Sequence, residues 1–204
     1  MYKHIVDAEQ VVNNKYIGNV DLSDVKGDLE FTSELGLVSI EGSICAAGKI
    51  SIAIGTCINA GRSINAGESI NAGESINAGE SINAGGSIKA GESINAGWFL
   101  KAGESINAGG SINAGAGILA GLSVVCKGAL TFRYRLFAGT ATWKEKLEKD
   151  DDLVQCGVHE SGEIVYGRLV VTGIPESKAN AMATIRMADG TILTGEVVES
   201  EEGE

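Results

Sequence analysis

The chain has 204 residues, with 29 Gly, one Pro, four Cys, two His and a formal net charge of −11. The cysteines (Cys45, Cys57, Cys126, Cys156) stand far apart with no CxxC pair, which argues against a disulfide framework or a zinc site and for reduced thiols. No basic-then-apolar leader opens the chain and no apolar run approaches the roughly 20 residues that span a bilayer, so the expectation is a cytoplasmic protein with no membrane association.

Residues 1–17 read as an N-terminal cap or terminal helix. From residue 18 apolar residues alternate with spaced glycines in a wandering register, as in the less regular opening coils of a solenoid. Near Ser51 the pattern becomes strict, and Ser-Ile-Asn-Ala-Gly-Glu recurs with little change from Ser63 through Gly109, with degenerate copies reaching Cys126. Within a hexad, period-two alternation makes a short strand with Ile64 and Ala66 on one side and Ser63 and Asn65 on the other. Gly67 and Glu68 then form a corner, with Gly expected to supply unusual backbone angles and Glu to face water. An antiparallel meander has no need of the same side chain at every sixth position. Three strands closing one coil of about eighteen residues around a common axis do need it. The fold class expected is therefore mainly β, a single-stranded parallel β-helix with three sides, whose hand the sequence leaves open.

Spacing by eighteen sorts the repeat. The inward stacks read Ile58, Ile76, Ile94, Ile112, then Ile64, Ile82, Leu100, Ile118, and then Ile70, Ile88, Ile106, all aliphatic. One outward column reads Asn59, Asn77, Asn95, Asn113 beside Ser75, Ser93 and Ser111, which predicts an amide ladder along the axis. Regularity fails at Trp98 and Phe99, which replace Glu and Ser and are expected to point outward, with Lys101 in the place of Asn. Trp98, Phe99 and Lys101 are thus a candidate interaction patch.

After the repeat, Phe132, Tyr134 and Phe137 interleave with Arg133 and Arg135. Aromatics interleaved with arginine make Arg133, Tyr134 and Arg135 a second candidate patch, but the preferred reading is a cap that packs its aromatics over the open end of the core. Asp150, Asp151 and Asp152 mark a composition shift, read as a solvated linker because no further ligands at metal-binding spacing accompany them. Beyond it, further strand-like runs and Asp189-Gly190, a hairpin signal, suggest a small acidic unit over 144–204, with the β-helix occupying 18–143.

Charge follows these divisions. Residues 1–50 carry four Lys against eight Asp/Glu, and 51–125 three basic against five acidic residues. Residues 126–143 have three basic and no acidic side chains, and 144–204 six basic against fourteen acidic. Direct nucleic-acid binding by the whole molecule is disfavoured electrostatically.

The hexads resemble those of hexapeptide-repeat β-helix proteins. SIKAGESINAG followed by TFRYRLFAGTATW is similar to bacterial and prophage-type proteins with Gly-Ile-Lys/Glu-Ala-Gly hexads and a following Arg/Phe-rich segment. That likeness covers about 51–143 and implies no activity. Bactofilins, cytoskeletal β-helices that stack end to end, are a more distant resemblance. The left-handed acyltransferase pattern fits less well, because Glu68 rather than a small residue stands two before Ile70. That enzyme family's His base and extruded loop also have no counterpart inside the repeat. The expectation is a non-catalytic scaffold without cofactor or metal, presenting rigid faces to a protein partner or to its own copies. The alternatives are a mobile-element inhibitor that mimics DNA through its acidic C-terminal unit, and an acyltransferase-like enzyme.

Overall fold

Each hexad places its Ile-Asn-Ala on a three-residue strand and turns at the following Gly-Glu. The computed structural model describes residues 2–18 and 20–173, together with the strands Met182–Arg186 and Ile192–Glu196. The chain is mainly β, a parallel β-solenoid of about 8 turns with ~18 residues in each. A first face carries Thr56–Ala60, Ile76–Ala78, Ile94–Ala96 and Ile112–Ala114. A second carries Ile64–Ala66, Ile82–Ala84, Leu100–Ala102 and Ile118–Ala120. The third carries Ile70–Ala72, Ile88–Ala90, Ile106–Ala108 and Val124–Cys126. Pairing is parallel and in register, as in Ile76↔Ile94, Ile82↔Leu100 and Ile88↔Ile106.

The three aliphatic stacks expected from the spacing form the core. Every Ile and Leu in them is buried, most of them completely, and the hexad alanines lie beside them. Each buried aliphatic side chain contributes roughly 1.5–3 kcal/mol relative to exposure.

The corner glycines serve a different purpose from the one expected. None of the glycines that follow Ala in the hexads has positive φ. Instead, a Cβ at Gly85, Gly91, Gly97 or Gly103 would overlap the carbonyl oxygen of the glycine one coil below. Backbone N–H donors tie the same corners together, with Gly85 donating to Ala66 at 3.1 Å and Gly91 to Ala72 at 3.0 Å. Glycine is required because one coil's backbone rests directly on the next.

The wandering register upstream also has a local cause. Val38↔Ile58, Ile44↔Ile64 and Ile50↔Ile70 are separated by twenty residues rather than eighteen. The wider corner is Ala53-Ile54-Gly55, where Gly55 has φ +75° and Ile54 projects into solvent. Buried Thr56 fastens it to the preceding coil, donating to the Thr32 carbonyl at 2.8 Å and accepting from the Leu35 N–H at 3.1 Å.

Both flanks differ from expectation. Lys3–Val6 is a strand of the third face paired in parallel with Asp28–Phe31, followed by a 3-10 turn at Ala8–Gln10 and a small hairpin, Val11–Val12 with Lys15–Tyr16. At the other flank the solenoid runs past residue 143. Leu153–Cys156, Val158–Tyr166 and Arg168–Val171 all pair in parallel with the coils before them. Val154 and Cys156 continue the buried column of Val124 and Cys126, which is why the alternation in this stretch belongs to the solenoid.

The compact unit is accordingly Met1–Thr172, and the separate one is Gly173–Glu204. In the latter, Met182–Arg186 and Ile192–Glu196 pair antiparallel, as the hairpin signal requires. The turn residues Asp189 and Gly190 lie outside the described residues, as do the rest of 187–191 and residues 174–181 and 197–204 of the acidic unit expected over 144–204.

The nine-residue strand Ala129–Phe137 bends across the corner between the first and second faces. Its Leu130 pairs with Ile112 and its Leu136 with Ile118, joining the two faces into one sheet. Because Val158–Tyr166 stacks on it in turn, this strand is an internal coil rather than a terminal cap. Its Phe132 points into the core, 5.6 Å between ring centroids from His159.

Candidate functional site

The corner between the first and second faces repeats every eighteen residues, so the residues on it form columns. Backbone N–H groups join one column upward: Glu80 donates to Arg62 at 3.2 Å, Trp98 to Glu80 at 2.9 Å, Ala116 to Trp98 at 2.8 Å and Tyr134 to Ala116 at 2.9 Å. Beside it run Ser81, Phe99, Gly117 and Arg135, and on the second face Asn83, Lys101, Leu119 and Phe137. The two patches expected separately, Trp98-Phe99-Lys101 and Arg133-Tyr134-Arg135, are thereby brought to one place, two coils apart.

The coil between them is low. Regular hexads place Gly-Glu-Ser-Ile-Asn over this stretch, but here the sequence is Gly115-Ala116-Gly117-Ile118-Leu119. Small residues on the floor and large ones on the coils to either side make a trough that follows the coil across the corner. One part, about 280 Å³, is lined by Trp98, Phe99, Ala116, Arg133 and Tyr134. The other, about 790 Å³, has Phe99, Lys101, Gly117, Leu119, Tyr134 and Phe137 among its lining residues. Phe99 and Tyr134 border both parts. The aromatic walls are in water, with Trp98 62% exposed and Tyr134 57%. The walls stand two inter-strand spacings apart, about 9.6 Å between backbone rows.

The rim is cationic. Lys101 is exposed on one bank, and Arg133 and Arg135 on the other. The Arg133 guanidinium lies 5.3 Å from the Tyr134 ring centroid. Among the described residues Arg135 has one loose ion partner, Glu163 at 3.7 Å, and both side chains stay mostly in solvent. Such an exposed pair contributes little and leaves the charge available.

The remaining candidate residues have structural partners. Asp151 accepts from Lys144 Nζ and from the Glu148 N–H, both at 2.6 Å. Asp150 and Asp152 face Arg168 at 3.0 Å and 3.9 Å. The triple acid therefore fastens the loop before Leu153 to the last coil, and is not a free linker. The Lys144 ammonium and the Glu148 amide hold the Asp151 carboxyl below its ordinary range.

The asparagine columns are also committed. Asn95 donates to Asn77 and Asn113 to Asn95, each at 2.8 Å, and Asn83 donates to Asn65 at 2.9 Å on the second face. Asn77 breaks the expected column by donating instead to the Ile58 carbonyl at 3.4 Å, and Lys89 interrupts the third face between Asn71 and Asn107. Serine hydroxyls accept backbone N–H groups from the next coil, as Ser93 does from Ser111 at 3.1 Å.

The two histidines lie in Lys3–Val6 and Val158–Tyr166, each with a buried Nε2 that has no hydrogen-bond partner among the described residues. Among the described residues no three of His, Cys, Asp or Glu are placed to share a metal ion. Burial pushes the Cys126 thiol up to about 12, with Cys156 beside it. No helix among the described residues is long and apolar enough to cross a membrane.

Sequence reasoning identified both walls of the trough and missed the floor. Ala116, Gly117 and Leu119 depart from Glu, Ser and Asn in their columns, and a comparison at intervals of eighteen would have exposed them. Phe137 was noticed only as one of a run of aromatics. No family model matches the sequence, and neither curated proteins nor solved structures give a match.

Proposed function

We propose that this chain is a non-catalytic β-solenoid scaffold that holds a protein partner at the trough between Trp98-Phe99 and Arg133-Tyr134-Arg135. The observation that carries this reading is the convergence of the two irregular segments on one corner, over a coil that has Ala116 and Gly117 in place of Glu and Ser and the apolar Leu119 in place of Asn. On the regular coils many outward serines and asparagines bond along the axis, whereas at the trough the large exposed side chains Trp98, Phe99 and Tyr134 stand together around one concavity. Rigid, water-exposed aromatics next to arginine are the residue types that dominate binding energy at protein interfaces.

The reading places the chain with hexapeptide-repeat β-helices of bacterial and prophage type, acting in the cytoplasm with its thiols reduced. The test is the double variant Trp98→Ser, Phe99→Ser. Its molecular mass in solution and its capture of a partner from the native host are compared with those of the parent chain. Loss of a partner or of an oligomer supports the proposal; identical mass and identical capture refute it.

A further inference from the structure

The dimensions and charge of the trough restrict what can lie in it. We infer that its occupant is a single extended, acidic, proline-rich segment in the polyproline II conformation, lying along the coil Gly115–Leu119; this rests on the proposed role of that face.

Three observations carry the inference. The first is width. The walls at Trp98 and Tyr134 are about 9.6 Å apart between backbone rows, and the ring thickness reduces the clear space further. An α-helix with its side chains is about 10–12 Å across, so it does not enter, whereas one extended chain does.

The second is the state of the backbone. The trough runs over the face of a sheet whose N–H and C=O groups are already paired along the axis, as at Ala116, Tyr134 and Leu100. A β-strand laid there would find no ladder to join. Polyproline II needs none, since its backbone is hydrated, and proline carries no N–H to satisfy. Aromatic-lined grooves are the surfaces on which such segments dock.

The third is charge. Lys101 stands on one bank and Arg133 and Arg135 on the other, within a protein of net charge −11. Carboxylates on both flanks of the segment complement this rim, while a basic proline-rich segment meets cations at the site.

The experiment titrates the full chain into a fluorescein-labelled octapeptide of alternating Glu and Pro and reads anisotropy. The comparison peptides replace Pro with Ala, or Glu with Lys. The variant Ala116→Glu, Leu119→Asn restores the repeat's own residues on the floor, as found at Glu80 and Asn83, so it keeps the fold while placing a carboxylate on the floor and removing its apolar leucine. Saturable binding of the Glu-Pro peptide is expected, weakened at least about tenfold in the variant, with the Lys-Pro peptide not bound.

Absence of binding, equal binding of the Glu-Ala peptide, or unchanged affinity in the variant overturns the inference. So does a concentration-dependent doubling of mass that the variant abolishes, since a second copy would then occupy the trough. If the peptides fail while Trp98→Ser, Phe99→Ser still changes mass or capture, the interaction face stands and only its occupant is wrong.

Discussion

Gly85 and Gly86 are neighbours on one corner, and they are expected to respond to alanine in opposite ways. A Cβ at Gly85 would overlap the Gly67 carbonyl oxygen, a backbone atom held by its own coil. Relief requires the coils to part, which lengthens the bonds from Gly85 N–H to Ala66 (3.1 Å) and from Gly86 N–H to Glu68 (2.8 Å). Losing about half of two hydrogen bonds worth about 0.5–1.5 kcal/mol each, plus overpacking of about 1–3 kcal/mol, sets the cost of Gly85→Ala at roughly 2–4 kcal/mol. In a unit of this size that lowers the melting temperature by about 5–15 °C. At Gly86 the added Cβ meets the Ser69 hydroxyl, a movable group, and φ lies outside the left-handed region. Other hexads carry Glu at this position, so Gly86→Ala is expected to be neutral or to stabilise by up to about 1 kcal/mol through the unfolded chain. Thermal unfolding followed by far-ultraviolet circular dichroism compares both with the parent. If Gly85→Ala melts within about a degree of the parent, close coil stacking is not what demands glycine.

Asn95 sits mid-ladder, bonded to Asn77 below and Asn113 above at 2.8 Å each; Asn95→Ala should cost about 1–3 kcal/mol in chemical denaturation, against about 0.5 kcal/mol or less for Asn71→Ala, between Ser51 and Lys89. Asp151 is held below its ordinary value by Lys144 and the Glu148 amide, so its contribution is present above the unfolded pKa of about 3.9 and lost as pH falls through the lower folded value. Denaturation of Asp151→Asn and of the parent from pH 7 to pH 2 should therefore converge at the acid end; a constant difference across the range contradicts this. An aromatic disulfide reagent at pH 8 should react readily with half-buried Cys45 and Cys57 and leave buried Cys126 and Cys156 untouched until denaturant is added.

The parallel solenoid was legible because every coil must satisfy the same contacts, so the stacks at Ile58, Ile64 and Ile70 declare themselves at intervals of eighteen. The coils after residue 143 were harder to read. The loop over 138–152 separates Val124 from its partner Val154 by thirty residues, which hides the register while leaving the burial of Val154 and Cys156 unchanged. The glycines were assigned the wrong cause, since a sequence cannot distinguish a residue that needs positive φ from one that needs no Cβ. The candidate site was half visible for a related reason. Added bulk at Trp98 and Phe99 attracts notice, whereas missing bulk at Ala116 and Gly117 has meaning only beside its neighbours in space.

Register at eighteen makes the length of this scaffold come in steps. Removing one whole coil, residues 76–93, would set Ile94 on Ile58 and Asn95 on Asn59, so each column keeps the same kind of neighbour and the trough descends along the axis by about 4.8 Å. Removing a single hexad would instead rotate everything above it by one third of a turn, and near-identical hexads would accept the new alignment. Height and azimuth of the trough are therefore separately adjustable by deletion or duplication, with the chemistry of the core left as it is.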